Sequence, residues 1–208
     1  MRRRENSLMR LGGRSLATVI ALALVLCCSI GGTLAYLFDK SEPVTNTFTY
    51  GDIEIQLNET DPEGNDKPDD NTYSMDLANT TNGIFKDPTV KVMADSEKCW
   101  LFVKVKESTG FDDFLAYTVP TGNDGWKLYK EVSDEENIYY RIVQGANIDQ
   151  DFSVLENNRV YLKSGITQEM LDAMQEEDFP KLTIYAYALQ YDNIDDADEA
   201  WEKCFKNR

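Results

Sequence analysis

Short stretches of alternating apolar and polar residues recur along the chain, and two stretches switch to a helical period. TFTYGDIEIQL (47–57) sets Ile53, Ile55 and Leu57 on one side and Asp52, Glu54 and Gln56 on the other, which predicts a half-buried strand. In DPTVKVMA (87–94), Val90 and Val92 face inward and Thr89 and Lys91 outward. CWLFVKVK (99–106) places Leu101, Val103 and Val105 on one face and Trp100 and Phe102 on the other, which then turns charged at Lys104 and Lys106. The intervening DSEK (95–98) suits a hairpin turn. WKLYKEV (126–132), IYYRIV (138–143), FSVL (152–155) and RVYL (159–162) read as further strands, with turns at TGNDG (121–125) and SDEEN (133–137). LTIYAYALQY (182–191) is apolar on both faces, with Ala186 and Ala188 on one and Tyr185, Tyr187 and Leu189 on the other. Such a pattern belongs to a central strand covered on both sides.

TQEMLDAMQEE (167–177) carries a cap at Thr167 and apolar residues at Met170, Leu171 and Met174. In DADEAWEKCF (196–205), Ala197, Ala200, Trp201, Cys204 and Phe205 form one apolar face, and Asp196 with Glu199 has the spacing of a capping box. Many short strands and two short helices, the second amphipathic and C-terminal, predict a mainly β fold: an antiparallel β-sandwich.

The first 35 residues break from this pattern. MRRRENSLMRLGGRS (1–15) is basic, and LATVIALALVLCCSI (16–30) is apolar for fewer than the about 20 residues a membrane-spanning helix needs. Thr33 and Ala35 supply small residues at the −3 and −1 positions of a signal-peptidase site, with cleavage before Tyr36. The alternative is an uncleaved anchor helix extended through Leu37. Either arrangement puts the remainder outside the cytoplasm. The expected organisation is a signal peptide (1–35), a flexible N-terminal arm (36–46) and one β-sandwich domain (47–208) with no stable membrane anchor after cleavage.

Charge and composition narrow the chemistry. Five of the 21 basic residues and one of the 37 acidic ones precede residue 16, leaving 16 against 36 afterwards, a balance of −20. Such a surface repels phosphate backbones, so nucleic acid is not an expected partner. Histidine is absent from the sequence, which excludes Ser-His-Asp and Cys-His systems and H-E-x-x-H zinc sites. Adjacent acids (Asp112/Asp113, Glu135/Glu136, Glu176/Glu177, Asp195/Asp196) point apart in strands and helices alike, so adjacency does not make a catalytic dyad. DPEGNDKPDDN (61–71) departs from an EF-hand loop at the sixth and twelfth positions, leaving a solvated loop or a weak Ca²⁺ site. No cofactor, no resident metal and no enzymatic activity are expected. Removal of the leader takes away Cys27 and Cys28, and Cys99 and Cys204 then either form one disulfide or stand as two separate buried thiols.

The segment 36–46 is either a disordered terminus or an extended segment that pairs with a neighbouring subunit's sheet. GGTLAYLFDKSEPVTNTFTYGDIEIQL (31–57) resembles the leader-to-first-strand region of the TasA/camelysin family of secreted bacterial matrix proteins, exported through a SipW-type signal peptidase. The matching residues are Gly31, Gly32, Thr33, Ala35, Phe38, Asp39, Thr47, Phe48 and Gly51. More loosely, DPTVKV, CWLFVKV and LTIYAYALQ followed by EAW resemble single-domain proteins with the same leader type. The resemblance implies a jelly-roll-like sandwich, export from a Gram-positive-type cell and a structural role in a biofilm matrix or cell-surface fibre. It also implies that Tyr36–Asn46, with Tyr36, Leu37, Phe38 and Val44, is donated to the next subunit. Camelysin has been described as a metallopeptidase, but a chain without His offers no zinc site of that kind. The expected partners are therefore other copies or other matrix proteins, besides the signal peptidase. A surface hydrolase using carboxylates or a hard metal, and a soluble adhesin-like binding module, are the alternatives.

Overall fold

The computed structural model describes residues 47–50, 52–64, 73, 75–175 and 178–206, with only the backbone at 47–50, 205 and 206. The chain is mainly β. In order run β1 (Thr47–Tyr50), β2 (Ile55–Asn58), α1 (Asn79–Asn82), β3 (Ile84–Phe85), β4 (Thr89–Val92), β5 (Cys99–Glu107), α2 (Phe111–Phe114), β6 (Leu115–Ala116), β7 (Lys127–Ser133), β8 (Glu136–Val143), β9 (Gln150–Ser153), β10 (Arg159–Leu162), α3 (Gln168–Ala173), β11 (Leu182–Gln190) and α4 (Ala197–Lys206). Three sheets result, ordered β1-β11-β5-β8-β7, β3-β10-β6 and β2-β4-β9. Among the described residues every strand pairing is antiparallel except β1 with β11, which is parallel.

The main core fills the space between the five-stranded sheet and β2-β4-β9. Leu101, Val103 and Val105 of β5, with Ile184, Ala186 and Ala188 of β11, meet Ile55, Val90 and Val92 from the facing sheet. Strand alternation puts these residues on one face, and burial of each larger aliphatic contributes about 1.5–3 kcal/mol. Trp126 (1 % exposed) closes one part of this core, its Nε1 donating to the Ser153 carbonyl at 2.8 Å.

The opposite face of the five-stranded sheet is aromatic. Trp100, Phe102, Ile138, Tyr187 and Leu189 pack there with Ala200 and Trp201 of α4. Trp201 meets Phe102 edge-on at 5.2 Å between ring centroids and Tyr187 at 5.5 Å, geometries favoured by the ring quadrupole. The expected cap is present: the Glu199 N–H donates to Asp196 Oδ1 at 2.9 Å. Glu199 Oε2 in turn accepts from the Asp195 N–H, one residue before the cap. A third cluster (Ile84, Phe111, Leu115, Leu155, Val160, Leu162) lies with the β3-β10-β6 sheet.

Four details differ from the sequence expectation. TFTYGDIEIQL is two strands in two sheets, β1 ending at Tyr50 and β2 starting at Ile55. The alternation hides this change of sheet because Ile53 and Ile55 belong to one core. DSEK is not a hairpin turn, because β4 and β5 lie in different sheets. It is a corner, in which the Glu97 N–H donates to the Asp52 carbonyl and Ser96 Oγ accepts from the Glu54 N–H. The helix expected over 167–177 closes after Ala173 and leaves Met170 exposed, although Thr167 does cap it by accepting from the Met170 N–H. Among the described residues there are four helices instead of two, α1 and α2 being four-residue turns too short to show a period.

Candidate functional site

The expected cleavage residues (Thr33, Ala35, Tyr36) and donor residues (Tyr36, Leu37, Phe38, Val44) lie outside the described residues. The structure does place the strand that follows them. β1 lies at one edge of the five-stranded sheet, its Thr47, Phe48, Thr49 and Tyr50 in register with Ala186, Tyr187, Ala188 and Leu189 of β11. β11 pairs along its whole length with β5 on the other side. It is therefore central only because β1 covers part of it. Without β1, a strand apolar on both faces would present its unpaired N–H and C=O groups at the edge, the condition that favours strand addition. The opposite edge is built differently. β7 carries Lys127, Lys130 and Glu131 and has two register irregularities against β8, features that discourage further pairing.

The cysteines do not meet. Cys99 lies in the inter-sheet core and Cys204 on the aromatic side of the same sheet, so the sheet itself separates them. Cys99 is a thiol, and its burial pushes its pKa up to about 12. In this arrangement the pairing open from the sequence is not formed. The alternation of β5 determines this: Cys99 shares the face of Leu101 and Val103, whereas α4 packs over Trp100 and Phe102.

The adjacent carboxylates have separate tasks. Asp112 reaches Lys163 at 3.4 Å, Glu136 lies 3.8 Å from Lys104, and Asp196 caps α4. Glu176 and Glu177 lie outside the described residues, as does most of the 61–71 loop. Among the described residues no three His, Cys, Asp or Glu side chains are grouped to hold a metal, and no helix is long and apolar enough to cross a membrane.

Three polar arrangements escaped the sequence reading. At the ends of β2 and β3, Lys86 Nζ contacts Glu59 Oε1 at 2.5 Å, and Tyr73 Oη donates to Glu59 Oε2 at 2.7 Å. Asp87 beside them accepts from the Thr60 N–H and from Thr60 Oγ1. Burial, followed by the charge of Glu59, raises the pKa of the Tyr73 phenol. At the end of β5, Glu107 is only 8 % exposed, and burial raises its pKa despite the hydrogen bond donated by Tyr117 Oη. Arg141 of β8 sets its guanidinium 4.0 Å from the centroid of Phe152 and 5.4 Å from that of Trp126, with Nη2 donating to the Asp124 carbonyl. The signal for Lys86 was its isolation: it is the one cation in the run GIFKDPTV (83–90).

In comparisons with family models, curated proteins and solved structures, the chain finds no match.

Proposed function

We propose that this is a secreted structural protein of an extracellular matrix or cell surface, whose subunits associate through the segment leading into β1. The observation that carries this reading is the parallel placement of β1 at the edge of β11. A strand that precedes every other described element and lies in a different sheet from β2 is tied to the domain by one short link. Once β1 is withdrawn, the same β11 edge accepts an equivalent strand from a second copy, and head-to-tail donation of this kind propagates into a fibre. The basic and apolar leader and the resemblance of residues 31–57 support export through a SipW-type signal peptidase. The jelly-roll-like winding implied by the resemblance belongs to the same reading, as does the assignment of 36–46 as the donated segment.

The test is to purify the chain beginning at Tyr36 and image it across pH and ionic strength. Fibres are expected in acid or with divalent cations, where the −20 balance is neutralised or screened. A chain that stays monomeric at high concentration, and behaves identically without residues 36–46, overturns the proposal in favour of a soluble binding module.

A further inference from the structure

We propose that Lys86 and Glu59 condense into an intramolecular isopeptide bond joining the end of β2 to the end of β3. The two groups are already in contact at 2.5 Å, with side-chain exposures of 10 % and 14 %. A lysine and a carboxylate held this far from water lose most of their hydration, and their mutual attraction only partly offsets that loss. An amide at the same place carries no charge and removes the penalty on both partners.

The surroundings supply the remaining parts. Tyr73 Oη donates to the second oxygen of the same carboxyl at 2.7 Å, the position where negative charge develops when the carboxyl carbon is attacked. Burial and the adjacent acid keep this phenol protonated, so it remains a donor. The Tyr73 ring lies 4.9 Å from Lys86 Nζ and holds the amine end in place. The backbone is fixed on both sides of the reacting pair. The Lys86 N–H donates to the Asn158 carbonyl, and Thr60 is clamped to Asp87 through two hydrogen bonds.

The step balances without a co-reactant. A proton passes from the Lys86 ammonium to Glu59 Oε1, leaving a neutral amine against a neutral carboxyl. The Nζ lone pair attacks Cδ, and Tyr73 steadies the charge that gathers on Oε2. A proton then moves from Nζ to the Oε1 hydroxyl, the C–O bond breaks, and water leaves. One ammonium and one carboxylate become one amide and one water. The product closes a loop between residues 27 apart and ties the β2-β4-β9 sheet to the β3-β10-β6 sheet. This inference stands independently of the matrix reading, since it concerns the folded subunit alone.

The experiment is an intact-mass measurement on the full folded chain, followed by proteolysis and tandem mass spectrometry. The expected result is a mass lower than that of the sequence by one water, and a branched peptide linking Glu59 to Lys86. Lys86→Arg and Glu59→Ala each restore the uncondensed mass, and Tyr73→Phe slows the loss of water after refolding. An uncondensed mass for the wild-type chain, with Glu59 and Lys86 recovered in separate peptides after prolonged incubation, overturns the proposal. That wild-type measurement decides the matter even where a variant fails to fold.

Discussion

Tyr117 Oη donates to Glu107 Oε1 at 2.7 Å, and the pair closes the end of β5 where it meets the third cluster. Burial is the largest influence on Glu107, and the charges of Asp112 and Glu135 act in the same direction. The hydrogen bond from Tyr117 and the charge of Lys163 oppose it without cancelling it. The folded-state pKa of Glu107 is therefore above its unfolded value. Its contribution to stability is fully present below the ordinary glutamate range and is lost as pH rises through the raised value. Glu107→Gln keeps an acceptor for Tyr117 and removes the buried charge. The variant is expected to melt at a higher temperature than the wild type at pH 7, with the gap closing in acid. Thermal melts of both proteins from pH 3 to pH 8 check this, and a gap that widens in acid contradicts it.

Trp126 combines two tasks that substitutions can separate. Trp126→Phe keeps most of the ring in the core but leaves the Ser153 carbonyl without its donor, at a cost of about 1–3 kcal/mol. Trp126→Ala also opens a cavity and is expected to cost about 3–5 kcal/mol. Urea denaturation, with the slope unchanged across the series, measures both values.

Cys99 is expected to be inert in the folded chain. It is fully buried, and burial holds its thiol pKa at about 12, so little thiolate exists at pH 8. A thiol reagent applied to the chain beginning at Tyr36 should label Cys99 only after denaturation. Peptide mapping of the labelled protein gives the answer directly, and rapid labelling of Cys99 under native conditions refutes it.

Removal of β1 should expose the β11 edge. A chain beginning at Thr47 is expected to remain soluble, whereas one beginning at residue 51 should aggregate in proportion to its concentration. Light scattering of the two truncations compares them. A peptide of residues 36–50 added in trans should suppress the aggregation of the shorter chain, and no suppression would count against strand donation.

The sequence reveals the faces of the strands more readily than their partners. Val90 and Val92 read as inward from alternation alone, and both are buried, whereas the two faces read for 99–103 are both buried, one against each core. Alternation reports which side of a strand is dry and is silent on which strand lies beside it. This explains why 47–57 read as one strand, and why 95–98 read as a hairpin turn instead of a corner between sheets. The separation of Cys99 from Cys204 was half legible: alternation sets Cys99 opposite Trp100, but only the tertiary packing of Trp201 on Phe102 puts the helix of Cys204 on the Trp100 face. The Glu59–Lys86–Tyr73 group was not legible, because its members come from separate segments brought together only by the packing of two sheets.

The parallel pairing of β1 with β11 also decides how the domain resists tension. In an antiparallel pair, a pull on the segment before one strand and the segment after the other acts at the same end, and the ladder opens one bond at a time. Here Thr47, the start of β1, lies beside Ala186, while β11 runs on from there past Leu189 toward α4, so the start of β1 and the end of β11 lie at opposite ends of the ladder. The two pulls are opposed along the strand axes, so the bonds of the ladder share the load and must slide together before any one gives way. Tension applied across the domain through β1 and β11 would thus be met in shear along this ladder.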